Sequence, residues 1–66
     1  MEPLILSAIT RYYNANRGKN TWEGTDLITV YNVMMAQSPT PDECREIILS
    51  GNLPARIPEN SLPDFP

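Results

Sequence analysis

The chain has 66 residues, with five lysines and arginines, eight aspartates and glutamates, no histidine and one cysteine, which gives a net charge of −3. This length supports one domain with a small core, and a single cysteine, Cys44, can form neither an internal disulfide nor a zinc site. The acidic balance argues against a protein whose whole surface holds nucleic acid through its phosphates. Small scaffolds commonly gain stability from a partner. We therefore expect either a domain that is stable alone or a domain that is stabilised by a second copy or by another protein.

The N-terminal stretch MEPLILSAITRYY has neither the positive start nor the long apolar run of a signal peptide. No stretch approaches the ~20 apolar residues of a membrane span. One cysteine without a targeting signal is typical of a reducing cytoplasm. We therefore expect a cytoplasmic protein with no membrane partner.

Residues 3–16 are predicted to form the first helix, because Pro3 suits a first turn and apolar residues recur at helical spacing. These apolar residues are Leu4, Ile5, Ala8, Ile9, Tyr12 and Tyr13. A polar loop, residues 17–25, follows and contains Trp22. This tryptophan has two interpretations: it folds back onto the core, or it is an exposed anchor for a partner, since tryptophan is enriched at binding hot spots.

Residues 26–37 are predicted to form the second helix, with Thr25 or Asp26 as its cap. The helical pattern is carried by Leu27, Val30, Tyr31, Met34 and Met35. The run LITVYNV is also rich in β-branched residues, as a strand would be. The length of the apolar stretch and its lack of strict alternation favour the helix. A helix that is apolar nearly all round is buried or has a partner.

Residues 41–50 are predicted to form the third helix, the best specified of the three. Thr40, Pro41 and Glu43 have the spacing of a capping box with proline at the first position, and Gly51 suits the left-handed residue that ends a helix. The buried face is expected to carry Cys44, Ile47 and Ile48, with Leu49 at its margin. The outer face is expected to carry Asp42, Glu43, Arg45 and Glu46.

Residues 52–66 hold four of the seven prolines, so neither a helix nor a central strand is expected there. The segment carries spaced apolar residues, Leu53, Ile57, Leu62 and Phe65. It can pack on its own helices, dock on a partner or stay disordered. Deletion of residues 56–66 is expected to reduce partner binding while it leaves the helical content largely intact. The sequence thus predicts an all-α fold, a small three-helix domain over residues 1–51 with a proline-rich extended C-terminal arm over residues 52–66.

Enzyme signatures are absent from the sequence. No histidine is available as a general base near neutral pH, and Cys44 lies on a predicted apolar face, as a small buried hydrophobe would. The carboxylates Asp42, Glu43 and Glu46 are explained by a helix cap and a solvated helix face. We expect a non-enzymatic protein without a cofactor or a metal.

The stretch from Thr29 to Ala55 resembles the helix-turn-helix of excisionase-like and AlpA-like phage regulators. The similarity lies in Thr29-Val30 on the first helix, Ser38-Pro39-Thr40 at the turn, and the ending Ser50-Gly51-Asn52-Leu53-Pro54-Ala55. The resemblance implies that residues 41–50 would enter the major groove of DNA. The matching positions carry three carboxylates, Asp42, Glu43 and Glu46, which would repel phosphates, and no basic hairpin wing follows Pro54.

The leading expectation is a small non-catalytic protein-binding module, such as an inhibitor, adaptor or assembly component. The small size and the resemblance to phage regulators add the expectation of a phage or other mobile-element origin, with the host cytoplasm as the location if the chain is phage-encoded. The expected partner contacts combine charged residues for a basic surface with apolar anchors. They are Trp22, Asp42, Glu43, Arg45, Glu46, Leu62 and Phe65. The alternative is an excisionase-like DNA-binding regulator that uses Arg45, Arg56 and Lys19.

Overall fold

The structure is a computed structural model that describes residues 3–57. Within that range the chain forms three α-helices, α1 (Pro3–Asn16), α2 (Leu27–Ala36) and α3 (Pro41–Ser50), with a turn of 3-10 helix at Asn20–Trp22 and no β-strand. The predicted all-α fold is confirmed, and the strand alternative for LITVYNV is wrong. The second helix is one residue shorter at each end than predicted, because Asp26 and Gln37 are its caps.

Helix α2 begins where the side chain of Asp26 satisfies the first backbone donors. The Oδ1 atom of Asp26 accepts hydrogen bonds from the backbone N–H of Thr29 at 2.8 Å and from its hydroxyl at 2.7 Å, as expected of an N-cap. These bonds to the ionised form hold the pKa of Asp26 below its usual value, the backbone N–H of Thr29 contributing most. The helix ends before Ser38, whose φ of 49° is left-handed and turns the chain into Pro39.

Helix α3 has the capping box that the sequence predicts. The backbone N–H of Glu43 donates to the Thr40 hydroxyl at 3.2 Å, and the backbone N–H of Thr40 donates to Oε1 of Glu43 at 2.9 Å. The helix ends at Gly51, whose φ is 74° and whose N–H donates to the carbonyl of Ile47 at 2.7 Å. The guanidinium of Arg11, from α1, covers this end and donates to the carbonyl of Ile48 at 3.3 Å.

Helix α1 organises the core, since it packs against both α2 and α3 and more extensively against α3. The buried apolar side chains meet in one cluster, which is formed by Ala8, Ile9, Tyr12, Trp22, Val30, Met34, Cys44, Ile47 and Ile57. Trp22 is 6% exposed, and its ring packs edge-on against Tyr12 at 5.5 Å between centroids. The core interpretation of Trp22 is confirmed and its role as an exposed anchor is wrong, because the short 3-10 turn directs the ring onto α1.

The first part of the C-terminal arm belongs to the packed domain. Leu53 lies half-buried against the cluster, Pro54 is buried, and Ile57 is 1% exposed at the end of a turn closed by its own N–H and the carbonyl of Pro54. The packing of the arm on its own helices therefore holds as far as residue 57. Deleting residues 56–66 would remove Ile57 from the core, so on the structure we expect such a deletion to lower the stability of the helices. Leu62 and Phe65 lie outside the described residues.

Candidate protein-interaction face

The outer face of α3 carries a stripe of four exposed residues, which we call the α3 face: Asp42, Arg45, Glu46 and Leu49. Their spacing of i, i+3, i+4 and i+7 places them on one side of the helix. The other side of α3 holds Cys44 and Ile47, both fully buried against α1 and the rest of the core. Helix α3 is thus anchored by one side and displays the other.

Leu49 is the unexpected member of the α3 face. Its side chain is 85% exposed, more than the other exposed large apolar side chains, Ile28 and Leu6. The sequence places it at the margin of the buried face, and that expectation is wrong. Each residue advances about 100° around an α-helix, and Ile47 and Ile48 already occupy the last core-facing positions. The signal in the sequence was the seven-residue spacing from Asp42.

The charges of the α3 face are mixed. Nη1 of Arg45 lies 2.7 Å from Oδ1 of Asp42, one helical turn away, and the two side chains are 60% and 96% exposed. An ion pair in this much water contributes little to stability. Within residues 3–57, no cation pairs with Glu46. The face therefore presents one compensated charge pair, one carboxylate and one exposed leucine.

Glu43 does not share the role of its acidic neighbours. Its carboxylate accepts hydrogen bonds from Nε and Nη2 of Arg56 at 2.6 and 2.8 Å, and also from the backbone of Thr40. The side chain is only 14% exposed. The bonds from Arg56, and then that from Thr40, lower the pKa of Glu43 to about 2. The structure assigns Glu43 to the internal architecture of the chain, which removes it from the predicted set of partner contacts.

Arg56 also makes its contacts within the chain, although its side chain is 52% exposed. Besides Glu43, its Nη2 donates to the carbonyl of Gln37 at 3.1 Å and lies 3.5 Å from that of Ser38. The contact with Glu43 raises the pKa of Arg56. The sequence alone offers Arg56 as a DNA contact in the alternative hypothesis. Its planar guanidinium is instead used to join residues 52–57 to the start of α3.

Two further observations concern the kinds of site that the described part of the chain can form. An open groove of about 400 Å³ runs between the end of α1 and the C-terminal segment, lined by residues that include Tyr12, Asn16, Lys19 and Leu53. Across residues 3–57, no three metal-ligating side chains come together, and no helix is long and apolar enough to cross a membrane.

Comparison with known proteins gives no relative: no protein-family model, curated protein or solved structure matches the chain.

Proposed function

We propose that this chain is a small non-catalytic protein-binding module that contacts its partner through the α3 face. The observation that carries the proposal is Leu49, 85% exposed beside three charged side chains on a helix whose opposite side is fixed in the core. Burying a leucine side chain gains about 1.5–3 kcal/mol. An apolar centre with a charged rim is the usual composition of a binding surface.

The α3 face defines what a matching partner would offer. Leu49 fits an apolar pocket, and Glu46 fits a lysine or arginine at the edge of that pocket. Asp42 and Arg45, being paired with each other, form the solvated rim. Charges at a rim mainly set the association rate and the choice of partner. Leu62 and Phe65 remain further expected contacts of the same module, and both lie outside the described residues.

Affinity capture with matched baits tests this function. We expect proteins captured by the wild-type chain to be lost with the variant Leu49→Ser and to be weakened by Glu46→Lys. Ile28→Ser is the matched control, because Ile28 is also an exposed aliphatic residue, 64% exposed, but lies on α2. Capture that is unchanged by Leu49→Ser would exclude the α3 face as the binding surface.

The alternative function, a DNA-binding regulator, is favoured by one observation. Helices α2 and α3 are separated by only the four residues 37–40, as in helix-turn-helix motifs. Against it stand the exposed carboxylates of Asp42 and Glu46 on the helix that would enter the groove, and the engagement of Arg56 by Glu43.

A salt titration with duplex DNA separates the two functions. Because a DNA-binding protein releases counterions, its affinity falls steeply as salt rises. Tight, salt-sensitive binding to the duplex would overturn the proposed module. We expect no binding even at low salt, a result that would exclude the regulator.

A further inference from the structure

The groove between the end of α1 and residues 52–57 has the size of a small-molecule site. Its volume of about 400 Å³ is at the lower end of the range of about 300–1,000 Å³ that is usual for ligand pockets. The residues that line it include Tyr12, Asn16 and Lys19 on one side and Asn52, Leu53 and Ile57 on the other. None of them belongs to the α3 face, so a ligand in this groove would leave that face free.

Lys19 gives the groove a positive charge. It is exposed at the rim, and among the described residues that line the groove it is the only charged one. The chain as a whole carries a net charge of −3, but the carboxylates of Asp42 and Glu43 are held on α3 by arginines of the chain. The groove therefore favours an anion. A single cation matches the single charge of a carboxylate better than the double charge of a phosphate.

Amide side chains lie on both sides of the groove. Asn16 is 6% exposed, and its Nδ2 donates to the carbonyl of Tyr12 at 2.7 Å. That bond uses one of the two N–H groups of an amide that also carries an acceptor oxygen. The backbone N–H of Lys19 donates to the carbonyl of Asn16 at 2.9 Å, which holds the lysine directly after α1. The second amide, Asn52, is exposed on the opposite side.

The side of the groove formed by residues 53–57 is largely apolar. Leu53 is half-buried, Pro54 is buried and Ile57 is 1% exposed. The backbone N–H of Ile57 donates to the carbonyl of Pro54 at 3.0 Å, so a closed turn fixes this side in place. An aliphatic group of a ligand can leave water by packing here.

We propose that this groove binds a small organic carboxylate, with its charge beside Lys19 and its short aliphatic group against Leu53 and Ile57. A few placed polar groups beside an apolar wall are the usual composition of a small-molecule site. Because the groove is small and open to water, the binding is weak. An acylated amino acid with about twelve non-hydrogen atoms should have a dissociation constant on the order of 1 mM.

An NMR titration of the isotope-labelled full chain with N-acetylleucine tests the site, from about 0.1 to 10 mM so that the expected dissociation constant is bracketed. We expect saturable shifts at the backbone amides of Lys19 and Leu53. The neutral analogue N-acetylleucinamide should bind about threefold to fivefold more weakly, and acetate, which lacks the aliphatic group, should give no saturable shift. The absence of saturable shifts with N-acetylleucine, or equal binding of either analogue, would overturn the proposal.

Charge variants test the contact with Lys19. Lys19→Gln should weaken the binding of N-acetylleucine about threefold to fivefold and leave that of N-acetylleucinamide unchanged. Arg17→Gln is the matched control, because it removes the same charge from an exposed residue that does not line the groove. Circular dichroism would verify that both variants fold. Equal effects of the two variants would contradict a direct contact with Lys19.

A second position at the rim provides an independent test. Ala55 lines the groove and is exposed, so Ala55→Glu should repel the carboxylate of N-acetylleucine, whereas Ala55→Gln should bind it as the wild type does. Equal binding by these two variants would place the carboxylate elsewhere and overturn the proposal.

Isocaproate identifies the source of the carboxylate, because it has the same aliphatic group as N-acetylleucine but no acylated nitrogen. Equal affinity for the two compounds would support the site and assign it to simple carboxylic acids. Tighter binding of N-acetylleucine would support the site and assign it to the C-terminal end of a peptide, whose amide can bond to Asn16 or Asn52.

Discussion

Arg56 and Glu43, thirteen residues apart, are joined by two parallel hydrogen bonds of 2.6 and 2.8 Å. The same carboxylate accepts a hydrogen bond from the backbone N–H of Thr40. The side chain of Glu43 therefore both caps α3 and holds the C-terminal segment. The guanidinium in turn reaches the carbonyl of Gln37, at the end of α2. The pair therefore links the end of α2, the start of α3 and residues 52–57.

This ion pair predicts a specific dependence of stability on acid. The pKa of Glu43 is about 2 in the folded chain, against an ordinary value of 4.5. Because the folded-state pKa is depressed, the stabilisation is complete above about pH 4.5 and is lost as the pH falls toward 2. Thermal unfolding of the wild type followed by circular dichroism should show the melting temperature falling across this window.

Glu43→Gln is the matched variant for that experiment. It should melt at a lower temperature than the wild type at pH 7, and the difference between the two should shrink from pH 4.5 to pH 2. Asp26, whose pKa is also lowered, titrates in both proteins and cancels in the comparison. A difference that stays constant down to pH 2 would contradict the role given to the Glu43 carboxylate.

The capping box of α3 predicts a loss of stability when its hydroxyl is removed. Thr40→Ala deletes the acceptor of the Glu43 backbone N–H, and the loss of such an N-cap costs about 1 kcal/mol. Thr40→Ser keeps the hydroxyl and should restore most of the stability. Urea unfolding of the three proteins measures the difference, and an unchanged Thr40→Ala variant would show that the cap contributes nothing.

The burial of Ile57 predicts how far the chain can be shortened from its C-terminal end before it loses stability. This side chain is 1% exposed in the core, and truncating a buried isoleucine to alanine costs about 2–5 kcal/mol. We expect Ile57→Ala to unfold at much lower urea, whereas Ala55→Ser, at an exposed neighbouring position, should change stability by less than about 0.5 kcal/mol. A chain ending at residue 57 should unfold at a higher urea concentration than one ending at residue 55. Equal midpoints for the two truncated chains would contradict the core role of residues 56 and 57.

The exposure of Leu49 predicts that a substitution at this position weakens partner binding and leaves the stability of the fold unchanged. Since it is 85% exposed, Leu49→Ala should change the free energy of unfolding by no more than about 0.5 kcal/mol while it weakens partner binding. Ile47→Ala, two residues away and fully buried, should cost about 2–5 kcal/mol of stability. Urea unfolding and affinity capture of both variants distinguish the two roles. A large loss of stability in Leu49→Ala would place this residue in the core.

The sequence predicts the helices well because their ends are local. Thr40 with Glu43, and Gly51, specify α3 within a few residues of chain, and the structure has these caps. The contacts of Arg56 were not predictable in this way, because they join segments 13 to 19 residues apart. The place of Leu49 was indicated by its seven-residue spacing from Asp42, but its apolar side chain favoured the margin of the buried face instead.

Cys44 is fully buried on the inner side of α3. The reactivity of its thiol therefore reports how often the folded chain opens. A maleimide or disulfide reagent reaches this thiol only when α3 separates from α1, so the rate of labelling in the native protein measures how often the core opens. Any ligand that binds the α3 face more tightly in the folded state than in the opened state must slow that rate. The single thiol of the chain thus allows binding to be detected through its labelling rate.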